Sequence, residues 1–118
     1  MPVQTKICGL SSANTLVHAV AEGADMVGFV FYPPSPRAVT TEVATMLVEM
    51  VPPLVQKVGL FVDADDLTIA AVLKSVPLDM LQLHGAESPE RVKTIRDTFN
   101  KPVIKAIKVE TADDSNRA

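Results

Sequence analysis

Short apolar runs alternate along the chain with longer segments in which apolar residues recur at helical spacing. The runs are residues 5–8, 26–31, 57–62, 79–83 and 102–108. They are nearly continuous in apolar residues, which is typical of parallel strands that are covered on both faces. The pattern therefore predicts five strands connected by helices.

The intervening segments predict four amphipathic helices, because each contains a stripe of apolar residues on one helical face. The stripes are Ala13, Leu16, Val17 and Val20; Val43, Met46, Leu47 and Met50; Ile69, Val72, Leu73 and Val76; and Val92, Ile95 and Phe99. Ser88 followed by Pro89 predicts the start of the fourth helix. Gly23 and the prolines at 52–53 predict the ends of the first and second.

The strand–helix unit is a little over twenty residues long, and the loop at 32–39, with three prolines, expands one unit. Two architectures fit five such units in succession. One is a complete doubly wound sheet, and the other is the first part of a (β/α)8 barrel, which normally needs about 250 residues. Periodicity alone does not choose between them. Either way, we expect residues 1–118 to form a single domain.

Composition narrows the class of protein. With a net charge of −3 and a pI near 5.2, the chain gives no reason to expect binding to nucleic acid or to an anionic membrane. One cysteine excludes an intramolecular disulfide and is typical of a reducing compartment. The first residues lack a secretory-signal pattern, and no apolar run approaches the roughly 20 residues of a membrane span. We therefore expect a cytoplasmic location.

The polar candidates for chemistry fall where strands end, at the edge that carries the active site in both architectures. They are Cys8, Arg37, Asp63, His84 and Lys108. Four of these have an ordinary structural explanation. A lone cysteine fills a core, a lone histidine makes a structural hydrogen bond, and an arginine after a turn is solvated. Asp63 is explained most simply, with Asp65 and Asp66, as a cap of the third helix.

Strand alternation adds two candidates. Gln82 and His84 share one face of the fourth strand, and a buried polar pair needs partners. Lys6 and Cys8 share one face of the first strand, where an ammonium would favour the thiolate. The two histidines are far apart and the glycines lack nucleotide-binding spacing, so we expect neither a metal site nor a cofactor.

A phospho-acceptor domain of the response-regulator class is a further alternative. It would place an aspartate after strand three and a lysine after strand five, as Asp63 and Lys108 are placed. Such a site also needs acidic residues after strand one to hold Mg²⁺, and residues 8–10 are Cys-Gly-Leu. The missing carboxylates disfavour this alternative.

Five sequence blocks together resemble the phosphoribosylanthranilate isomerase family, the Amadori enzymes of tryptophan biosynthesis. The blocks are KICGL (6–10), GADMVGFVFYPPSPRAV (23–39), KVGLFVDAD (57–65), LDMLQLHGAESPE (78–90) and KPVIKAIKV (101–109). The resemblance runs from residue 5 to about residue 112. It implies a partial (β/α)8 barrel, made of four βα units, a fifth strand and the start of a fifth helix. It also implies cofactor-free isomerisation of a phosphorylated sugar–anthranilate substrate.

The family's residue roles carry over to matching positions. The resemblance implies that Cys8 is the general base and that Arg37 holds the anthranilate carboxylate. It places Gln82 and His84 at the pocket as substrate-binding residues, and we expect Lys6, beside the base, to be a further substrate-binding residue.

The family's general acid and phosphate site match no residue up to position 118. The resemblance therefore implies slightly more than half of an isomerase, and we expect the isolated chain to have little or no activity. We also expect self-association through exposed sheet edges. The alternative function is a non-catalytic half-barrel fragment or scaffold.

Overall fold

The computed structural model of the chain describes residues 6–7 and 9–105. The strands are β1 (Lys6–Ile7), β2 (Met26–Val30), β3 (Gln56–Phe61), β4 (Met80–Leu83) and β5 (Val103–Lys105). The helices are α1 (Ala13–Ala21), α2 (Thr41–Val48), α3 (Asp66–Ser75) and α4 (Pro89–Phe99). The predicted runs at 26–31, 57–62 and 79–83 match β2, β3 and β4 to within one residue at each end. The runs at 5–8 and 102–108 extend outside the described residues.

Strand order decides between the two architectures that the sequence left open. The described strands form one parallel sheet in the order β1-β2-β3-β4-β5, so each strand pairs with the next one along the chain. Right-handed crossovers that always advance in one direction place every helix on the same face of the sheet. A doubly wound sheet instead reverses its strand order once. The order is that of a (β/α)8 barrel, and the predicted fold class is confirmed.

Side chains at the helix N-termini explain where the helices begin. Ser12, Thr40, Asp65 and Ser88 are the N-caps of the four helices, and each side-chain oxygen accepts a hydrogen bond from a backbone N–H of the first turn. The predicted cap at Ser88, with Pro89 in the first turn, is confirmed. Gly23, with φ +88°, follows the end of α1. These caps define the residue at which each helix begins.

The main hydrophobic core lies between the sheet and the helices. Its fully buried members include Phe29, Phe61, Leu81 and Leu83 from alternate strand positions and Ile69 from α3. The apolar stripes predicted for α3 and α4 are confirmed by buried and partly buried side chains. In α1, however, Val17 is 55% exposed, although the sequence pattern placed it on the buried stripe.

The stripe predicted for α2 is wrong by part of a turn. Ala44, Leu47 and Val48 are buried, whereas Met46 is 59% exposed. Apolar residues cover more than half of this helix's circumference, so hydrophobicity alone does not fix its rotation. The hydroxyl of Thr45 donates to the Ser75 carbonyl at the end of α3 (3.1 Å), which requires that this face of α2 point toward α3.

The opposite face of the sheet carries the other set of alternate residues. Val30, Val58, Leu60, Gln82 and Ile104 belong to this inner face by strand register. Gln82 is the one polar residue among those described that is buried when backbone and side chain are counted together. No helix in the described ranges has the length and apolar character that crossing a membrane requires.

Candidate active site

A cavity of about 470 Å³ opens on the inner face, where the parallel strands end. Its apolar wall is formed by Val30, the last residue of β2, and by Leu60 and Val62, which flank the last residue of β3. Its polar groups come from the following loops; the lining residues there are Gly9, Tyr32, Ser35, Arg37 and His84. An apolar wall with a few converging polar groups is the usual composition of a small-molecule site, and the volume falls in the usual range of about 300–1,000 Å³.

Arg37 reaches the cavity from the proline-rich loop and lies across Gly9. The backbone N–H of Arg37 is held by the Ser35 hydroxyl (3.1 Å), which fixes the turn. A Cβ added at Gly9 would lie 2.7 Å from Cδ of Arg37, and the φ of +83° at Gly9 is itself favourable only for glycine. The left-handed backbone therefore favours glycine at this position, and the absence of a Cβ leaves room for the Arg37 side chain to pack on it.

The guanidinium of Arg37 has no carboxylate partner within the described residues, whose ion pairs involve other arginines and lysines. It is a permanent cation at the mouth of an apolar cavity. A planar guanidinium suits a carboxylate because it can donate two parallel hydrogen bonds.

His84 follows the last residue of β4, and its backbone N–H donates to the Phe61 carbonyl (2.9 Å). This bond continues the pairing between β3 and β4 by one residue beyond β4. The side chain lines the cavity. The structure thus brings together Arg37 and His84, two of the residues that sequence analysis proposed for the substrate site.

Gln82 lies on the same face as His84 but does not line the cavity. It is 8% exposed, and its cross-strand partners are Leu60 and Ile104. Among the described residues, its side-chain Oε1 is the one buried side-chain nitrogen or oxygen without a hydrogen-bond partner. A role for Gln82 in binding substrate stays a prediction.

The predicted base and its neighbouring lysine lie at the limit of the described residues. Cys8 and Lys108 lie outside them, and only the backbone of Lys6 is described, as part of β1. Gly9, the next residue after Cys8, lines the cavity, and its N–H donates to the Gly28 carbonyl (3.0 Å). Gly9 therefore connects the first βα loop to the cavity wall and to β2.

A second polar group lies beside the cavity, and we call it the rim clasp: Asp63, Glu87 and Lys105. Oε2 of Glu87 accepts from the Asp63 N–H (2.8 Å), while Oε1 accepts from the Gly85 N–H (2.9 Å) and from Nζ of Lys105 (2.8 Å). In return, Oδ1 of Asp63 accepts from the Ala86 N–H (2.8 Å). The ends of β3, β4 and β5 are thereby tied to one another.

Asp63 was therefore wrongly interpreted as a helix cap. Asp65 alone of the three aspartates caps α3, through Thr68, and Asp66 pairs with Arg91 at 2.7 Å. Asp63 has a φ of +49°, in the left-handed region that aspartate tolerates better than most residues. Its carboxylate reaches across to the turn after β4, which sequence spacing along one segment does not reveal.

The Glu87 side chain is 2% exposed. Burial acts to raise the pKa of this carboxyl, but the hydrogen bonds from Lys105, Asp63 and Gly85 outweigh it and hold the pKa below its ordinary value of 4.5. The carboxylate is thus charged and fully hydrogen-bonded at neutral pH. Within the described part of the chain, no group of three or more potential ligands could hold a metal ion.

Several residues of this site were not predicted from the sequence. Tyr32 and Ser35 lie in the proline-rich loop and line the cavity, and Glu87 and Lys105 complete the rim clasp. Position at a strand end was the available signal for Tyr32 and Ser35. Glu87 offered the H-G-x-E spacing after β4, but its partners become apparent only when neighbouring strands are placed side by side.

Comparison with known proteins gives one consistent result. A family model described as N-(5'-phosphoribosyl)anthranilate (PRA) isomerase matches residues 5–118. A curated relative of that name from Paramagnetospirillum magneticum is 53% identical over 118 residues, covering 100% of this chain and 55% of the relative. One from Rhodopseudomonas palustris is 55% identical over 114 residues, covering 97% and 52%. The chain thus spans about half the length of the curated relatives it matches.

Solved structures agree. Phosphoribosylanthranilate isomerase from Thermotoga maritima matches with a TM-score of 0.86 and 39% identity, covering 98% of this chain and 56% of that one. A second structure, with the same TM-score and identity, is a complex with reduced 1-(o-carboxyphenylamino)-1-deoxyribulose 5-phosphate. The match covers 98% of this chain and 59% of that one. The described sheet therefore corresponds to about half of a barrel of this family.

Proposed function

The chain belongs to the N-(5'-phosphoribosyl)anthranilate isomerase family, and from this premise we propose that it supplies the part of an isomerase active site that holds the anthranilate group. The observation that carries the proposal is the cavity on the inner face, with its apolar wall and the Arg37 guanidinium at its mouth. An aromatic carboxylate matches both features, because the ring removes apolar wall surface from water and the guanidinium pairs with the carboxylate.

The proposed reaction converts N-(5'-phosphoribosyl)anthranilate to 1-(o-carboxyphenylamino)-1-deoxyribulose 5-phosphate. A general acid protonates the ribose ring oxygen, the ring C–O bond breaks, and the amine nitrogen forms an imine with C1. A general base then removes the proton from C2, and the resulting enolamine tautomerises to the ketone. Protons move between substrate and enzyme groups without net oxidation, so the reaction requires no cofactor.

We assign the base to Cys8 by family resemblance. The support from the fold is that Cys8 precedes Gly9, which lines the cavity and contacts Arg37. His84 lies across the same cavity, within the region that a substrate held by Arg37 would occupy. Gln82 beneath it and Lys6 on β1 remain proposed substrate-site residues.

The proposal assigns activity to an assembled barrel and little or none to the 118-residue chain by itself. Its basis is coverage, since the chain spans about half of its curated relatives and the family's phosphate site lies in loops after the last strands of such barrels. A purely structural half-barrel is the alternative. A cytoplasmic location also remains a prediction.

Binding of anthranilate to the chain tests the proposal directly. Titration followed by NMR should shift resonances of His84 and Val62, and 2-aminobenzamide, which lacks the carboxylate, should bind at least about tenfold more weakly. Arg37→Met should abolish the preference for the carboxylate, because methionine keeps an unbranched apolar stem but removes the cation.

Arg96→Met is the matched control, since Arg96 is an exposed arginine in the last turn of α4 and does not line the cavity. It should bind anthranilate as the unmodified chain does. Equal binding of anthranilate by the Arg37→Met variant would contradict the proposal, as would shifts confined to residues away from the cavity.

We further propose self-association through the sheet edges. In the described sheet, β1 and β5 are the edge strands, and an edge offers unpaired backbone groups to another chain. One similar solved structure is that of mutually generated monomers of the phosphoribosylanthranilate isomerase from Thermotoga maritima, an enzyme that the same description calls dimeric (38% identity, TM-score 0.83). Light scattering should give a mass above 12.6 kDa that rises with concentration. A constant monomer mass at millimolar concentration would contradict this part.

A further inference from the structure

We propose that the rim clasp is a positioning device for the ligand cavity: Asp63, Glu87 and Lys105 fix the directions of Val62 and His84. The inference rests on the proposed function for what the cavity binds, but the clasp itself is argued from contacts within the chain. None of its three residues lines the cavity. They act through the residues that do.

Chain connectivity gives the first step. Val62 directly precedes Asp63, and His84 directly precedes Gly85. Val62 and His84 both line the cavity, and the residue that follows each donates its backbone N–H to the Glu87 carboxylate. The buried Glu87 side chain therefore holds the backbone directly after Val62 and directly after His84, which are two neighbouring parts of the cavity wall.

The clasp is closed in both directions. Glu87, after β4, accepts from the backbone after β3, and Asp63, after β3, accepts from the Ala86 N–H after β4 (2.8 Å). Lys105 of β5 donates to the Gly85 carbonyl and to Glu87. Two crossed hydrogen bonds and a shared ammonium restrict both the separation of the two loops and the sliding of one past the other.

The backbone at Asp63 and Gly85 adopts a geometry that few residue types can adopt, which indicates that the sequence at these two positions is chosen for it. Asp63 occupies the left-handed region at φ +49°, where a residue other than glycine is uncommon. A Cβ at Gly85 would lie 2.6 Å from Oδ1 and 2.8 Å from the backbone N of Asp63, so only glycine fits. Backbone strain of this kind concentrates beside functional sites. Here it adjoins the cavity wall.

A hydrogen-bond network beside a cavity can also serve stability alone. The two roles differ in what they predict, because a stabilising network changes the free energy of unfolding but leaves the affinity of the folded protein unchanged. A positioning network changes affinity at a temperature where every variant is folded. Affinity and stability must therefore be measured on the same samples.

The test compares variants of the 118-residue chain by circular dichroism, anthranilate titration and backbone amide exchange. Glu87→Gln places an amide N–H₂ group where Oε2 accepted the Asp63 N–H, so it breaks that link. Asp63→Gly removes the carboxylate that accepts the Ala86 N–H and also relieves the left-handed backbone, so it breaks this second link with little strain penalty and leaves the backbone N–H at position 63 free to bond Glu87. Asp63→Asn keeps an acceptor oxygen and tolerates the left-handed conformation. Glu90→Gln, an exposed position in the first turn of α4, is the control.

We expect Glu87→Gln and Asp63→Gly to weaken anthranilate binding about tenfold, the lower end of the losses found when groups that orient metal ligands are removed. Exchange at the amides of Val62 and His84 should accelerate by a similar factor. Asp63→Asn should restore binding to within about twofold, and Glu90→Gln should change neither quantity. If Glu87→Gln does not fold, the comparison of Asp63→Gly with Asp63→Asn distinguishes a positioning role from a purely stabilising one.

Wild-type affinity and wild-type amide exchange in Asp63→Gly would overturn the inference, as would an affinity loss no greater than the loss of folded protein. If the unmodified chain binds no anthranilate, the proposed function fails. The clasp is then judged by amide exchange alone, and unchanged exchange in Asp63→Gly would overturn it. The two failures are thus distinguishable.

Discussion

Replacing Gln82 with methionine is expected to stabilise the chain. Gln82 is 8% exposed on β4, and its Oε1 has no hydrogen-bond partner among the described residues. Its neighbours across the strands are Leu60 and Ile104, which are apolar. Methionine has nearly the same length and flexibility, so it can fill the same space without a polar atom that needs a partner.

The magnitude follows from the cost of one unsatisfied acceptor. A buried polar group left without a partner costs about 1–3 kcal/mol. The remaining amide nitrogen of Gln82 is not among the buried unpartnered atoms, and replacing it removes some favourable solvation. We therefore expect the free energy of unfolding to rise by about 1–2 kcal/mol, toward the lower part of that range.

Urea unfolding followed by circular dichroism measures this change. Gln56→Met is the matched control, because Gln56 is an exposed glutamine at the start of β3; it should stay within about 0.5 kcal/mol of the unmodified chain. In an assembled enzyme, Gln82→Met should lower activity even though it raises stability, as is common when a functional polar group is buried.

A free energy of unfolding that is unchanged or lower in Gln82→Met would refute the reasoning. That result would mean that Oε1 is satisfied in solution, by water or by a residue outside the described ranges, so that the amide contributes to stability. The control excludes a general effect of methionine in this sheet.

Three further predictions concern the core, a helix cap and acid stability. Ile95→Ala should lower the free energy of unfolding by about 2–5 kcal/mol, because Ile95 is fully buried. Val17→Ala is the control at a half-exposed position, and it should lower the free energy of unfolding by less than about 0.5 kcal/mol. Urea unfolding measures both. Ser88→Ala should cost about 1 kcal/mol in the same assay, since it removes the cap of α4. Because the folded-state pKa of Glu87 is lowered, its stabilisation is present above pH 4.5 and is lost as the pH falls through the folded value. Urea midpoints measured from about pH 6 to pH 3 should therefore fall less steeply in Glu87→Gln, and equal slopes would contradict the assignment.

The fold was predictable from sequence wherever one periodicity was unambiguous. The continuous apolar runs identify β2 to β4 because strands covered on both faces leave few polar positions. The stripe of Ile69, Val72 and Val76 likewise identifies the buried face of α3. The rotation of α2 was not predictable, because apolar residues surround most of that helix and its contact with α3 decides which of them are buried.

Some residues of the candidate site were predictable from the sequence, but its hydrogen-bond network was not. Arg37 and His84 follow strands and belong to motifs, and both line the cavity, while their role in binding substrate stays a prediction. Asp63 was misassigned because its partners lie 23 and 24 residues away in the sequence. Spacing within one segment reveals a helix cap, whereas a carboxylate that bridges two strand ends requires the strand order and register.

Reconstitution of activity tests the central claim most directly. The C-terminal portion of the Paramagnetospirillum magneticum relative, expressed separately, would be mixed with this chain, and conversion of N-(5'-phosphoribosyl)anthranilate would be followed by fluorescence. We expect neither piece alone to turn over substrate, the mixture to do so, and Cys8→Ala to abolish turnover without preventing association. Turnover by the chain alone at a rate close to that of the full-length relative would contradict the account. So would an associated mixture that remains inactive, which would favour the structural half-barrel.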